Sequence, residues 1–456
     1  MKTAAARLDM LHGPIWNKLP RFALPVAATA ILEQLFNASD VAIVGNFTAA
    51  SERTAAVAAV GANSAIIGLV VNLFIGIALG ANVVIANAIG AGRPQEVQKA
   101  VHTSVLVSVL GGVLVALVGQ LVAAPLLSLL NVPADVLPLA LLYLRIYLAG
   151  MPVILLYNFQ AAIFRSVGET KIPLMALATS GVLNVLLNLF FVAVLHRSVD
   201  GVAIATVISN AVSALLLFRR LCRTDREIRL DPRQLRIDGA VLRRILRIGL
   251  PAGVQSAVFA LSNIVVQAAI NSLGTVVMAA SSAAFNIEII TYDILNSFSQ
   301  ACTTFVGQNY GARQIDRCKR TFWLSLAEGA VALAIAIVLI LSFGRPLLSL
   351  FNRDPEVIAT GYIRLMMIMI SHSFSLLYEV MSGYLRGFGI SLAPAVLTML
   401  GVCGVRIAWI RFVFPTSPSF RTIMIAYPVS LSITALLVLG ALLVYRPSRR
   451  FAAKVA

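Results

Sequence analysis

Residues 125–136 read Pro-Leu-Leu-Ser-Leu-Leu-Asn-Val-Pro-Ala-Asp-Val, and residues 346–357 read Pro-Leu-Leu-Ser-Leu-Phe-Asn-Arg-Asp-Pro-Glu-Val, seven identities in twelve positions at a separation of 221. The same separation pairs Gly90 with Gly311, Tyr157 with Tyr378, Arg165 with Arg386, Gly168 with Gly389 and Pro173 with Pro394. A register held over more than 80 residues marks an internal duplication. Towards the front, Arg21-Phe-Ala-Leu-Pro25 matches Arg247-Ile-Gly-Leu-Pro251 at a separation of 226, so the two copies differ by five residues within their first two helices.

What is duplicated is set by composition. The 456 residues are 59% apolar and 12% charged, with a mean hydropathy of +0.90, whereas soluble domains carry about 25% charge. This is a polytopic α-helical membrane protein. Its long unbroken apolar runs exclude a β-barrel, whose strands alternate over short segments, and leave no room for a soluble enzyme domain. Spans are expected near 22–45, 58–86, 98–122, 137–160, 172–195 and 200–218, then near 249–272, 279–305, 322–343, 357–381, 391–413 and 422–445. Twelve transmembrane helices in two six-helix lobes follow, with domains at 1–218 and 248–456 and a basic cytoplasmic linker at 219–247.

The net charge of +17 reports topology rather than nucleic-acid binding. With the linker cytoplasmic, 27 of the 36 Lys and Arg residues collect on that side and five on the other, which places both termini inside, in a cytoplasmic (inner) membrane. The first apolar run begins near Phe22 and is long enough to span, so it is read as an insertion signal that is kept. None of the four cysteines has C-x-x-C spacing, so neither a disulfide framework nor a zinc site is expected. No Walker sequence occurs, so an ion gradient is the expected driver, with no cofactor. Six helices per copy is an even number, so both copies enter the bilayer alike. This is the parallel-repeat class of secondary transporter, which works by alternating access.

Ionisable groups inside spans are costly and mark ion or substrate pathways. The first helix carries Glu33, Asn37 and Asp40 at i, i+4, i+7, on one face. Asn184 and Asn188 follow at i, i+4 in the fifth span and Thr206 in the sixth. One carboxylate at midplane depth, Asp40, with neutral oxygens around it could carry a proton across or ligate sodium; a packing role for Asp40 is the alternative. The second copy offers Asn263, Gln267 and Asn271 in the seventh span, Glu288 and Asp293 in the eighth, and His372, Ser375 and Glu379 in the tenth. Glu288, Asp293 and Glu379, with Tyr157, Gln267 and Asn263, are candidate contacts for a cationic or amphipathic small molecule. Pairing of the carboxylates with Arg364 or Arg406 is the alternative.

Asn37-Ala-Ser-Asp-Val-Ala-Ile-Val-Gly45, Val306-Gly-Gln-Asn-Tyr-Gly-Ala312 and Arg165-Ser-Val-Gly-Glu-Thr-Lys-Ile-Pro173 resemble the multidrug and toxic compound extrusion (MATE) antiporters, prokaryotic branch, over almost the whole chain. The resemblance implies a V-shaped pair of lobes that exports organic cations or amphipathic drugs in exchange for protons or sodium, acting as a monomer. It puts the family's first-helix aspartate on Asp40, its asparagine on Asn184 and its threonine on Thr206. Two departures stand out. Asn188 occupies a place where many members carry an aspartate, and Phe259 lies near one where some carry a glutamate. A lipid-linked saccharide flippase of the same superfamily is the runner-up, although only Arg145, Arg364, Arg406 and Arg411 lie within spans. A non-transporting membrane receptor or scaffold is the reading from another class.

Overall fold

In the computed structural model, residues 8–49, 52–130 and 132–452 are described, and among them every regular element is helical. The principal helices are α1 (Leu19–Phe47), α2 (Arg53–Gly90), α3 (Pro94–Leu129), α4 (Leu137–Ala149), α5 (Met151–Ser166), α6 (Lys171–Leu189) and α7 (Val199–Arg223). They are followed by α8 (Gly239–Asn271), α9 (Thr275–Gly311), α10 (Ile315–Ser349), α11 (Pro355–Gly387), α12 (Leu392–Thr398), α13 (Val405–Ala408), α14 (Phe420–Tyr445) and α15 (Pro447–Ala452).

Ten helical stretches among the described residues are long and apolar enough to cross a membrane, or eleven when α4 and α5 count as one span bent by 50°. The bend falls at Gly150, with Pro152 in the first turn of α5, where a missing N–H and a small residue permit it. The 29-residue α1 is long enough to span at about 1.5 Å per residue. Glu33, Gln34, Asn37 and Asp40 lower its hydropathy, and its length accounts for the twelfth expected span. The duplication is visible in the helix starts: α3 at Pro94 and α10 at Ile315, α6 at Lys171 and α12 at Leu392, and α7 at Val199 and α14 at Phe420 all keep the separation of 221.

The chain forms two compact units. The first contains Ala28–Ile89 and Arg93–Gly253; the second contains Asp9–Ala27, Gly90–Gly92 and the chain from Val254 on. Both α1 and α8 therefore change unit within the helix, two residues beyond an internal proline, Pro25 or Pro251. A proline inside a helix removes one hydrogen bond and loosens the turn before it, so these are points where a long helix can serve two bodies.

Residues 219–247 pack onto the first unit. Leu221, Ile228, Leu230, Val241 and Ile245 are buried in a core shared with Ala88, Val97 and Val101. Gln98 Nε2 donates to the Glu227 carbonyl at 2.8 Å, and Thr103 Oγ1 accepts from the Asp238 N–H at 3.0 Å. Asp238 caps α8, its Oδ1 accepting from the N–H groups of Ala240 and Val241, both at 3.1 Å. The Val241 N–H, then Lys99, hold its carboxyl below the usual carboxylate range.

In the first unit α2 and α8 cross at close range through Gly76 and Gly80 on one helix and Gly249 and Gly253 on the other. A Cβ built on Gly76 would lie 2.1 Å from the Gly253 nitrogen. Small residues spaced four apart let two backbones approach where lipid offers no hydrophobic drive for association.

Candidate cation-coupling site

The C-terminal third of α1, the end of α6 and the first third of α7 meet around Asp40 in the first unit. Asp40 is 6% exposed, Asn184 5%, Asn188 0% and Thr206 9%. Asn188 Nδ2 donates to Asp40 Oδ1 at 2.6 Å and to Asn184 Oδ1 at 3.1 Å. Thr206 Oγ1 lies 3.2 Å from Asp40 Oδ2 and 2.9 Å from the Val202 carbonyl, so its single proton is shared between two acceptors. Asn184 Nδ2 closes the ring on Thr206 Oγ1 at 3.4 Å. Spacing i, i+4 puts both asparagines on one face of α6. Directly after them the helix widens into a π-turn at Phe190–Val194, a distortion frequent at functional sites.

All donors to the carboxylate are neutral. Among the described residues Asp40 has no ion pair, and the Asn188 Oδ1 atom is buried without a hydrogen-bond partner. A buried carboxylate with neutral partners carries an uncompensated charge unless it binds a cation or a proton. The ring supplies oxygens from Asp40, Asn184, Asn188 and Thr206, the hard donors that alkali cations prefer. No group of three or more His, Cys, Asp or Glu that could hold a metal occurs among the described residues.

Four of the six expected coupling residues thus come together, and two stay apart. Glu33 is half-buried and within electrostatic reach of Tyr157 and Arg165; Asn37 is exposed. All three α1 residues share a face as expected, but Glu33 lies about 10 Å along the axis from Asp40, outside the hydrogen-bonded ring. Asp40 itself lies seven residues from the end of α1 at Phe47, nearer that end than the expected midpoint. Tyr143 and Tyr147, stacked with ring centroids 6.1 Å apart on α4, sit within electrostatic reach of Asp40. They were not anticipated, and their only signal in the sequence is an i, i+4 tyrosine pair in an apolar span.

Of the expected substrate contacts, Tyr157 belongs to the first unit and Asn263, Gln267, Glu288, Asp293 and Glu379 to the second. Glu288 is 5% exposed and Arg364 3%. Arg364 donates through Nε to Glu288 Oε2 at 2.9 Å and through Nη2 to Oε1, while its Nη1 reaches Ser281 Oγ. Both carboxylate oxygens are taken, and Glu288 is not a free charge for a cation. Glu379 is buried and accepts from the Tyr292 hydroxyl at 3.2 Å. Asp293 is half-buried, with Oδ2 unpartnered. Asn263 and Gln267 are exposed on α8, and Gln267 Nε2 donates to Asn271 Oδ1 at 2.7 Å. Tyr157 lies in the core of the first unit with its hydroxyl unbonded.

The model of one transporter family, MatE, matches residues 25–190 and 251–410, one stretch in each copy of the repeat. The chain belongs to the MatE family. This MatE protein is 26% identical over 435 residues, 93% of each chain, to the probable multidrug resistance protein YoeA of Bacillus subtilis. It is 25% identical over 356 residues, 77% of this chain and 78% of the other, to an FAD transporter of Shewanella oneidensis. Its fold matches the solved structure of an outward-facing multidrug resistance MATE family transporter with a TM-score of 0.88, covering 99% of each chain at 20% identity. The resemblance seen in the motifs is therefore a family membership, and this MatE chain is a multi-pass membrane transporter. Relatives at nearly the same identity carry names with different cargoes, so membership alone does not choose the cargo.

Proposed function

We propose that this protein is a secondary active exporter that moves organic cations or amphipathic drugs out of the cell by alternating access, in exchange for protons or sodium bound at Asp40. The observation that carries the reading is the ring of Asp40, Asn184, Asn188 and Thr206: a buried carboxylate held by neutral donors, able to bind one monovalent cation and to release it. The names of curated relatives such as YoeA support drug export as the task. Exchange at one site explains how a chain without a nucleotide motif can do work: the ion and the cargo stabilise different conformations, and the gradient of one drives the other. The membrane is the cytoplasmic one, both termini face the cytoplasm, and the monomer is the working unit.

The test is efflux of rhodamine 6G from proteoliposomes under an imposed proton gradient and, separately, a sodium gradient, with Asp40→Asn beside the wild type. Asn keeps the size and loses the charge. Flux under one gradient that falls to background in Asp40→Asn is the expected result and identifies the ion. Undiminished flux in the variant moves coupling away from Asp40, and absence of flux under both gradients overturns the exporter reading.

A further inference from the structure

Arg406 is a buried charge that the coupling site does not use. It is 7% exposed in the second unit, on the four-residue α13. Nε donates to Ser430 Oγ at 3.0 Å, and the guanidinium lies over the Tyr427 ring with 4.2 Å from Cζ to the centroid. His372, Tyr378 and Cys403 also lie within its electrostatic reach; among the described residues it has no carboxylate partner, and Nη1 and Nη2 make no hydrogen bond. The nearest comparable group is treated differently: Arg364, also within 5.9 Å of the Tyr427 centroid, is neutralised by Glu288. A buried guanidinium without a counter-charge costs several kcal/mol.

The backbone around Arg406 is also unusual. The helix widens into π-turns on both sides, at Met399–Gly404 and at Trp409–Val413. Such widening leaves carbonyls and side chains displaced from the regular ladder, and it accompanies binding sites. The repeat register adds an independent mark. At the separation of 221, Thr206 corresponds to Tyr427, Ser209 to Ser430, and Val185, the neighbour of Asn184, to Arg406. The arginine cluster therefore occupies the place in the second copy that the coupling ring occupies in the first.

We propose that Arg406 forms a binding site for an oxyanion, a carboxylate or a phosphate, with Tyr427 and Ser430 fixing the guanidinium and Nη1 and Nη2 left to bind the anion in a fork. The planar fork matches two oxygens of one group. Either the cargo supplies that oxyanion, which makes acidic or zwitterionic amphiphiles substrates beside cations, or the phosphate of an anionic lipid headgroup does. The cargo form deepens the exporter reading and rests on it.

Rhodamine 110 and its methyl ester rhodamine 123 differ by one carboxylate and serve as probes, titrated by fluorescence anisotropy against the full chain in phosphatidylcholine nanodiscs. Arg406→Gln is expected to weaken the acid about tenfold or more, as loss of a charged hydrogen bond does, and the ester less than twofold. Arg406→Lys keeps the charge without the fork and lowers the acid-to-ester affinity ratio severalfold; it carries the test where the glutamine variant does not fold. Displacement of the acid by added phosphatidylglycerol in the wild type and not in Arg406→Gln assigns the oxyanion to a lipid headgroup. Equal effects on both probes, no effect on either, or no binding of the acid to the wild type overturns the site. The efflux assay is independent: flux with an unchanged ratio removes this inference alone, and a shifted ratio without flux removes the exporter reading alone.

Discussion

Corresponding places in the two copies carry opposite charge. In the first unit α6 and α7 present Asn184, Asn188 and Thr206 to a carboxylate, Asp40. In the second, the counterpart helices present Arg406, Tyr427 and Ser430, and the position corresponding to Asp40 at the front separation of 226 is Val266, buried in an apolar cluster. The helix starts have kept register between the copies while the sites have not. A bundle holds its shape through many small packing terms, so its frame persists when a few interior polar groups change; a site is a few groups, and one substitution reverses its sign.

The sharpest way to test that contrast is to remove the compensation in the second unit. Glu288→Gln strands Arg364 in a site where it is 3% exposed, and loss of one partner of a buried pair costs about 3–5 kcal/mol. The melting temperature in nanodiscs is expected to fall steeply. The double variant Glu288→Gln/Arg364→Met should recover most of the loss, because no charge is then left unpaired. Equal losses in the single and the double variant would mean that the pair acts through packing and not through charge.

Next in size is the frame itself. At Gly253 an added Cβ would lie 2.2 Å from the Leu73 carbonyl oxygen, and backbone cannot yield as a side chain tip does. Gly253→Leu should cost about 1–3 kcal/mol as overpacking and slow transport, whereas Gly61→Ala, on the same α2 and with nothing within 4 Å, should change neither. A melt unchanged in Gly253→Leu would show that the crossing of α2 and α8 is looser than the geometry indicates.

How much of this was readable in the sequence follows the same division. The duplication, the lobes and the spans were legible because periodic apolar runs and a constant separation are carried by dozens of residues. Asp40 with Asn184, Asn188 and Thr206 was legible because polar groups are rare in apolar helices. The sequence leaves Glu288 either free for a cargo or paired with Arg364 or Arg406, because spacing says nothing about pairing across helices, and the structure takes the pairing with Arg364, 76 residues away. The π-turns that flank Arg406, and the change of unit within α1 and α8, depend on tertiary packing and leave no local pattern beyond two prolines.

The smallest expected effect discriminates most. Thr206→Val removes one hydroxyl of nearly the same volume, at 3.2 Å from Asp40 and already shared with the Val202 carbonyl, so about 1 kcal/mol is at stake, roughly fivefold in ion affinity. Its direction depends on the ion. For sodium the hydroxyl is a lost ligand, and half-maximal flux needs about fivefold more sodium. For protons the hydroxyl stabilises the ionised carboxylate, so its loss lets Asp40 hold a proton at lower proton concentration, and half-maximal flux moves to higher pH. Asn37→Ala, exposed and outside the ring, should move neither. One titration series with the three proteins therefore reads the coupling ion from the sign of the shift, and a shift in Asn37→Ala as large as in Thr206→Val would break the assignment of the ring.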